Sequence, residues 1–325
     1  MKRAICLQAG NGNAGDSVAN LGCRGLFMKL FQNGVIYDSY HMAEPEALRY
    51  DLIQFYRNEF ALVLCTPWIW DRCETSVKYE ILKDFNKRAT ADRRLALGLG
   101  SAYHLDSDQI DKKTGVWDPR TIEMVQEYWE GYEHIVCRDR LAYHMFGQFI
   151  PEDRLTIMPC PSFYISQVFD IKPKKIKSEV LVYAEINSQI FWKIREDQVQ
   201  KPMDYQDKLI KDGIDVITMI PRDRDHFRDT YGREPTYHVV DPLDIVNTIG
   251  EYSKLISPRV HACMPALSLG LDVEIIPLDT RALTAVHLGA KPIINSLELA
   301  EEFSAPIEPM SLEAVQELLR KRIGF

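Results

Sequence analysis

Short apolar runs alternate along this chain with longer stretches in which apolar positions recur every three to four residues. The runs at Arg3–Gln8, Val35–Tyr37, Leu62–Cys65, Leu95–Gly98, Ile135–Arg138 and Leu155–Met158 read as strands. Between them, Ser17–Phe31, Pro45–Arg57, Glu74–Asn86, Thr121–Tyr132 and Arg140–Phe149 carry the spacing of amphipathic helices. Strands that are apolar throughout, alternating with helices of this length, predict βαβ units in a parallel sheet covered on both faces. Right-handed crossovers then make the sheet doubly wound.

The pattern restarts after the polar, Pro-containing stretch Asp170-Ile-Lys-Pro-Lys-Lys-Ile-Lys-Ser178. Strands are predicted at Val180–Glu185, Asp215–Ile220, Tyr237–Val240, Lys254–Ser257 and Val273–Ile276. Helices are predicted around Gln189–Lys211 and at Pro242–Tyr252, Val260–Leu269 and Ser311–Arg322. The expected organisation is a first α/β domain over 1–170 and a second over 171–325, with the helix at 311–322 free to pack back on the first. In such sheets a ligand sits beyond the carboxyl ends of the strands, beside helix N-termini.

Composition narrows the class. The 325 residues, 46% hydrophobic, exclude a disordered chain and allow two sizeable cores. A net charge of −8 argues against a general electrostatic grip on nucleic acid, while leaving room for a local basic pocket. No apolar run reaches the length of a membrane span, and Met1–Ala9 runs into the polar Asn11–Asp16 without a long apolar core, so no secretory leader is expected. The seven cysteines are scattered and form no C-x-x-C pair, and the histidines show no ligand spacing. Buried thiols in the cytoplasm, with no metal, are the plain reading.

Four places carry candidate chemistry. Gly10-Asn-Gly-Asn-Ala-Gly-Asp16 lies between the first strand and the first helix, where Gly permits a tight turn and Asn or Asp can cap. It is no P-loop, and Asp38 is a weak ribose acid, so an ordinary strand-to-helix turn is the alternative. Ser257-Pro-Arg-Val-His261 opens a helix, with Arg259 suited to an anion and His261 to proton transfer. Arg138 follows a strand in the first half in the same way, and Arg281 lies just beyond Val273–Ile276. Each arginine alone reads equally as a solvated or salt-bridged side chain; together they describe a site for a small, highly charged anion. Pro221-Arg-Asp-Arg-Asp-His226 reads mainly as a solvated loop, with contact to an acceptor as the alternative, and Trp68 as a sugar platform or as packing.

The order of these motifs resembles the polysaccharide pyruvyl transferase family. The likeness rests on Asn13-Ala-Gly-Asp16, Arg138-Asp139, and Ser257-Pro-Arg-Val-His-Ala262 followed by Ala266-Leu-Ser-Leu-Gly270, with Arg281 of Asp279-Thr-Arg281 where the family usually has Lys. The resemblance implies a GT-B-like fold of two Rossmann-type domains facing a cleft. It implies transfer of the pyruvyl group of phosphoenolpyruvate, a co-substrate with no further cofactor, to two hydroxyls of a sugar or lipid-linked oligosaccharide. That reaction would run in the cytoplasm, with room for peripheral association at the inner face of the membrane. His261 and Asp16 then become the catalytic pair and Arg138, Arg259 and Arg281 the donor ligands. Asn13, Gly15 and Trp68 fall to the acceptor side or its loop. Two other functions compete: a GT-B glycosyltransferase using a nucleotide sugar, and a silent sugar-binding protein of envelope assembly.

Overall fold

The computed structural model describes residues 2–8, 14–30, 35–41, 60–70, 93–103, 110–111, 113–129, 131–186, 196–294, 297 and 299–323. The helices expected at Pro45–Arg57 and Glu74–Asn86 lie outside the described residues.

The first half builds a parallel sheet from β1 (Lys2–Gln8), β2 (Val35–His41), β3 (Phe60–Cys65), β4 (Trp68–Trp70), β5 (Arg93–Ala102), β8 (His134–Cys137) and β9 (Leu155–Ile157). Its order is β2-β1-β3-β5-β8-β9, with β4 pairing the far end of β5. Between β5 and β8, β6 (Ile110–Asp111) and β7 (Val116–Trp117) form a small antiparallel pair. The second half has β10 (Lys177–Val182), β11 (Asp215–Thr218), β12 (Tyr237–His238), β13 (Tyr252–Ser257), β14 (Asp272–Ile275) and β15 (Lys291–Pro292) in the order β12-β11-β10-β13-β14-β15. Every pairing in these two sheets is parallel.

The longer helices are α1 (Ala14–Leu30), α2 (Pro119–Trp129), α3 (Arg140–Gly147), α4 (Glu196–Lys211), α5 (Pro221–Tyr231), α6 (Pro242–Ile249), α7 (Val260–Ser268) and α8 (Leu312–Ile323). Their starts follow local chemistry. Asp139 caps α3 by accepting from the Ala142 N–H at 2.7 Å, and Asp241 caps α6 ahead of Pro242. At the other end of α5, Gly232 adopts φ 65°, the left-handed turn that a Cβ would oppose.

The two halves share one core. Val18 and Ala19 of α1 belong to the same apolar cluster as Ile245 and Val246 of α6 and Ala262 and Cys263 of α7. Tyr103, just after β5, and Thr280 of the second half exchange two bonds, Tyr103 N–H to Thr280 Oγ1 at 2.9 Å and Thr280 N–H to the Tyr103 carbonyl at 3.0 Å. Helix α8 packs Val315 and Leu319 against Cys23, Leu26 and Phe27 of α1.

Each sheet reverses its order at one point, which is where a crevice opens in doubly wound folds. In the first sheet this point lies between β1 and β3, so α1, the helix after β1, begins there. In the second it lies between β10 and β13, so the turn into α7 begins there. The site is built from these helix starts and from the end of β8.

Candidate active site

Arg138 leaves β8 with its N–H still bonded to the Leu99 carbonyl at 2.8 Å, so its backbone is fixed by the sheet. The next residue is equally fixed. Asp139 is fully buried and accepts from the Ser101 N–H at 2.9 Å and the Ser101 hydroxyl at 3.1 Å. Burial lifts its carboxyl above the usual range, although these donors and Arg138 pull the other way. The Arg138 side chain, only 2% exposed, lies flat on β5 over Gly100. A Cβ on Gly100 would stand 2.2 Å from Arg138 Nε, so glycine is required there by close approach.

Arg138 reaches across to the second half. Its Nη1 lies 3.0 Å from His261 Nε2 and 3.9 Å from Cys160 Sγ. The other ring nitrogen of His261 faces Asp16, with Nδ1 at 3.4 Å from Oδ1. The start of α1, the end of β8 and the start of α7 therefore meet on one imidazole. Burial pushes the His261 pKa down, yet the Asp16 carboxylate and the Cys160 sulfur more than offset this and the net direction is up.

Arg259 stands at the N-cap of α7 with no side-chain cap, which leaves the first amides of that helix without a side-chain partner. Its guanidinium turns to Asp223 and makes a very short ion pair with it. Asp223 is fully buried and also accepts the Glu185 N–H at 3.1 Å. This corrects the reading of 221–226 as a solvated loop: the segment is the first turn of α5, and its acid anchors Arg259. Arg281 is gripped by Asp279, Nε to Oδ1 at 2.8 Å and Nη2 to Oδ2 at 2.5 Å. Burial lowers its pKa, but Asp279 and then Asp16 hold it up, so Arg281 feels the same acid as His261.

The structure thus joins Arg138, His261 and Asp16 by direct contact and Arg281 through the field of Asp16. Arg259 is two residues from His261 but is bound to its own carboxylate. Gly15 is buried in the first turn of α1. Asn13 lies outside the described residues, as does the side chain of Trp68, whose backbone belongs to β4. Two participants were not singled out from sequence, Cys160 and Asp223. Asp223 was at least visible as an acid in a charged run after a strand; nothing around Cys160 marks it.

A family model, polysaccharide pyruvyl transferase, matches residues 13–271 and so takes in all three contact residues. The chain belongs to the polysaccharide pyruvyl transferase family. No curated protein matches the sequence of this family member. Among solved structures, it is similar to the UDP-GlcNAc 2-epimerase of Neisseria meningitidis bound to UDP-GlcNAc, at 10% identity over 98% of each chain with a TM-score of 0.54. The Methanocaldococcus jannaschii UDP-GlcNAc 2-epimerase in complex with UDP-GlcNAc and UDP is similar at 10% identity, over 100% of this chain and 93% of that one, with a TM-score of 0.51. At this identity the likeness concerns architecture alone: this polysaccharide pyruvyl transferase family member has the GT-B arrangement of two α/β halves. Among the described residues, no helix is long and apolar enough to cross a membrane, and no group of three or more His, Cys, Asp or Glu side chains could hold a metal ion.

Proposed function

We propose that this chain moves the pyruvyl group of phosphoenolpyruvate onto two hydroxyls of a sugar in a cell-surface glycan or its lipid-linked precursor, closing a cyclic ketal. The observation that carries the reading is the meeting of Asp16 and His261, from the helices that start at the two points of sheet reversal, with Arg138 from the end of β8. A small anion with one phosphate and one carboxylate needs fixed cations, and Arg138 supplies one that is buried and immobile. The open amides and dipole of α7 add partial positive charge, and Arg281 is near enough for Asp16 to act on it.

The chemistry follows from the donor. His261 delivers a proton to the methylene carbon of phosphoenolpyruvate, and the neighbouring carbon becomes electron-poor and oxocarbenium-like. One sugar hydroxyl attacks that carbon and loses its proton, with Asp16 orienting or accepting. Phosphate leaves with the electron pair of its C–O bond, and the second hydroxyl attacks the same carbon and closes the ring as its proton passes to the departing phosphate. The steps use proton transfer and charge alone, with no cofactor. The reaction is assigned to the cytoplasm, at the inner face of the membrane when the acceptor is lipid-linked.

The test is phosphate release from phosphoenolpyruvate in the presence of candidate glycans, with His261→Asn as control. That variant is expected to lose on the order of 10²–10⁴-fold in turnover while remaining folded. Normal turnover in the variant would remove His261 from the chemistry. A thermal-shift comparison of phosphoenolpyruvate with uridine diphosphate checks the donor class, because the true ligand raises the melting temperature. A shift with the nucleotide alone would favour the glycosyltransferase reading.

A further inference from the structure

Arg138 Nη1 lies 3.0 Å from His261 Nε2. A guanidinium has hydrogens to give and nothing to accept with, so Nε2 is the acceptor. The ring that fits this contact is neutral, with its one proton on Nδ1. That nitrogen faces the Asp16 carboxylate, 3.4 Å away, which when ionised can only accept. Two neighbours from the first half thus dictate one tautomer of a histidine in the second. A neutral imidazole is a poor acid, and a proton added at Nε2 would meet the Arg138 N–H head-on.

We propose that the donor anion itself charges His261: one of its oxygens accepts from Arg138 Nη1 and from Nε2–H together, so that binding brings the catalytic proton with it. The coupling rests on the reading of His261 as proton donor to phosphoenolpyruvate. An oxygen placed before both nitrogens removes the conflict between them, because each then donates to an acceptor. Arg138 keeps its seat on Gly100, and 14% of the His261 side chain is exposed, which leaves an edge for a ligand.

The charged groups around the ring can be named element by element. Asp16 of α1 favours the added proton, and Arg138 at the end of β8, with Asp139 behind it, opposes it. Cys160, in the turn after β9, lies 3.9 Å from Arg138 Nη1. Arg281, held by Asp279, acts through Asp16, and Arg259 is paired with Asp223 at the start of α7 itself. Among these cations Arg138 is the one whose charge no ion pair balances, so an anion gains most there.

The protons balance. Solvent supplies one as the anion binds. Nε2–H breaks as the new C–H bond forms on the methylene carbon, and the ring is neutral again. The first acceptor hydroxyl yields its proton to Asp16, which returns one to solvent. Nε2 then accepts from Arg138 as before.

The test follows the His261 ring by nitrogen-15 NMR across pH, with and without sulfate, the signal being assigned by its loss in His261→Asn. Sulfate carries two charges and does not titrate in this range. Without it, the ring should show the Nδ1–H tautomer on the alkaline side of its midpoint. Saturating sulfate should raise that midpoint by about one pH unit or more, whereas chloride at the same ionic strength should not. By linkage, sulfate affinity measured by calorimetry should fall as pH rises through the sulfate-free midpoint, with proton uptake on binding. Arg138→Gln should raise the sulfate-free midpoint and reduce the sulfate shift. An Nε2–H tautomer in wild type, no sulfate binding, or a midpoint that bound sulfate leaves in place each overturns the proposal, and none of these needs the variant to fold. Phosphate release is measured separately. A wild type whose midpoint responds to sulfate but which releases no phosphate from phosphoenolpyruvate counts against the donor reading alone. One that releases phosphate with an unmoved midpoint counts against the coupling alone.

Discussion

The two halves carry arginines at equivalent places, just past strand ends, but hold them by different means. In the first half Arg138 is positioned by shape. It lies on a glycine, its backbone is tied into the sheet, and among the described residues no carboxylate is within ion-pair distance of it. In the second half Arg259 and Arg281 are positioned by charge, each against its own acid, Asp223 and Asp279. A cation already neutralised by a buried acid has less to offer an incoming anion. In the proposed reaction Arg138 is therefore the main contact for the donor, while the second half would supply the proton and the dipole of α7.

The largest effect is expected from disturbing shape. Gly100→Ala puts a methyl where Arg138 Nε lies and must displace the guanidinium. Phosphoenolpyruvate affinity, measured by calorimetry, should fall on the order of 100-fold through the lost charge-assisted bonds, with a stability cost of roughly 1–3 kcal/mol. Unchanged affinity would show that the position of Arg138 is not what binds the donor. Disturbing charge should act next, and unequally. Asp223→Asn leaves a mostly buried Arg259 without its counter-charge and should cost about 3 kcal/mol in chemical denaturation. Asp279→Asn should cost under about 1 kcal/mol, since Arg281 is one-third exposed and screened by water. Equal costs would erase the distinction between the two acids.

The seam between the halves supplies the smallest, pH-dependent effect. His287 Nε2 accepts the Arg140 N–H at 3.1 Å, and its Nδ1–H donates to the Ala305 carbonyl at 2.9 Å, so the neutral ring is the one that fits. Burial first, and then the Arg140 charge, lower its pKa to about 4. The unfolded chain takes up that proton near pH 6.5, so between about 6.5 and 4 the unfolded state binds more protons and stability falls as pH falls. His134 is lowered to about 4 as well, by burial and then Arg322, and acts in the same sense. His287→Gln should be less stable at neutral pH yet lose less melting temperature on acidification, retaining only the His134 share. An unchanged slope would mean that the ring is not held neutral.

Much of this architecture was legible in sequence, for a definite reason. The strands, apolar throughout, and the helices between them are local patterns, and β8 and α7 appear within a residue or two of where periodicity puts them. Arg138, Arg259 and His261 could be singled out as candidates because strand-to-helix junctions are where such folds bind anions, and the structure joins Arg138 to His261. Cys160 could not, because what marks it is its place beside Arg138, 22 residues away in the sequence. Asp223 misled for a related reason. Charge alternation in Arg-Asp-Arg-Asp looks solvated, and only the partner 36 residues on shows that one of the two acids is buried.

The return of α8 to the first half has a consequence for the order of events during synthesis. Val315 and Leu319 complete the apolar layer over Cys23, Leu26 and Phe27, so part of α1 waits uncovered while some three hundred residues are added. On the ribosome the first half remains an unfinished body until residues 312–323 emerge, and for that interval it presents an apolar face that a chaperone could bind.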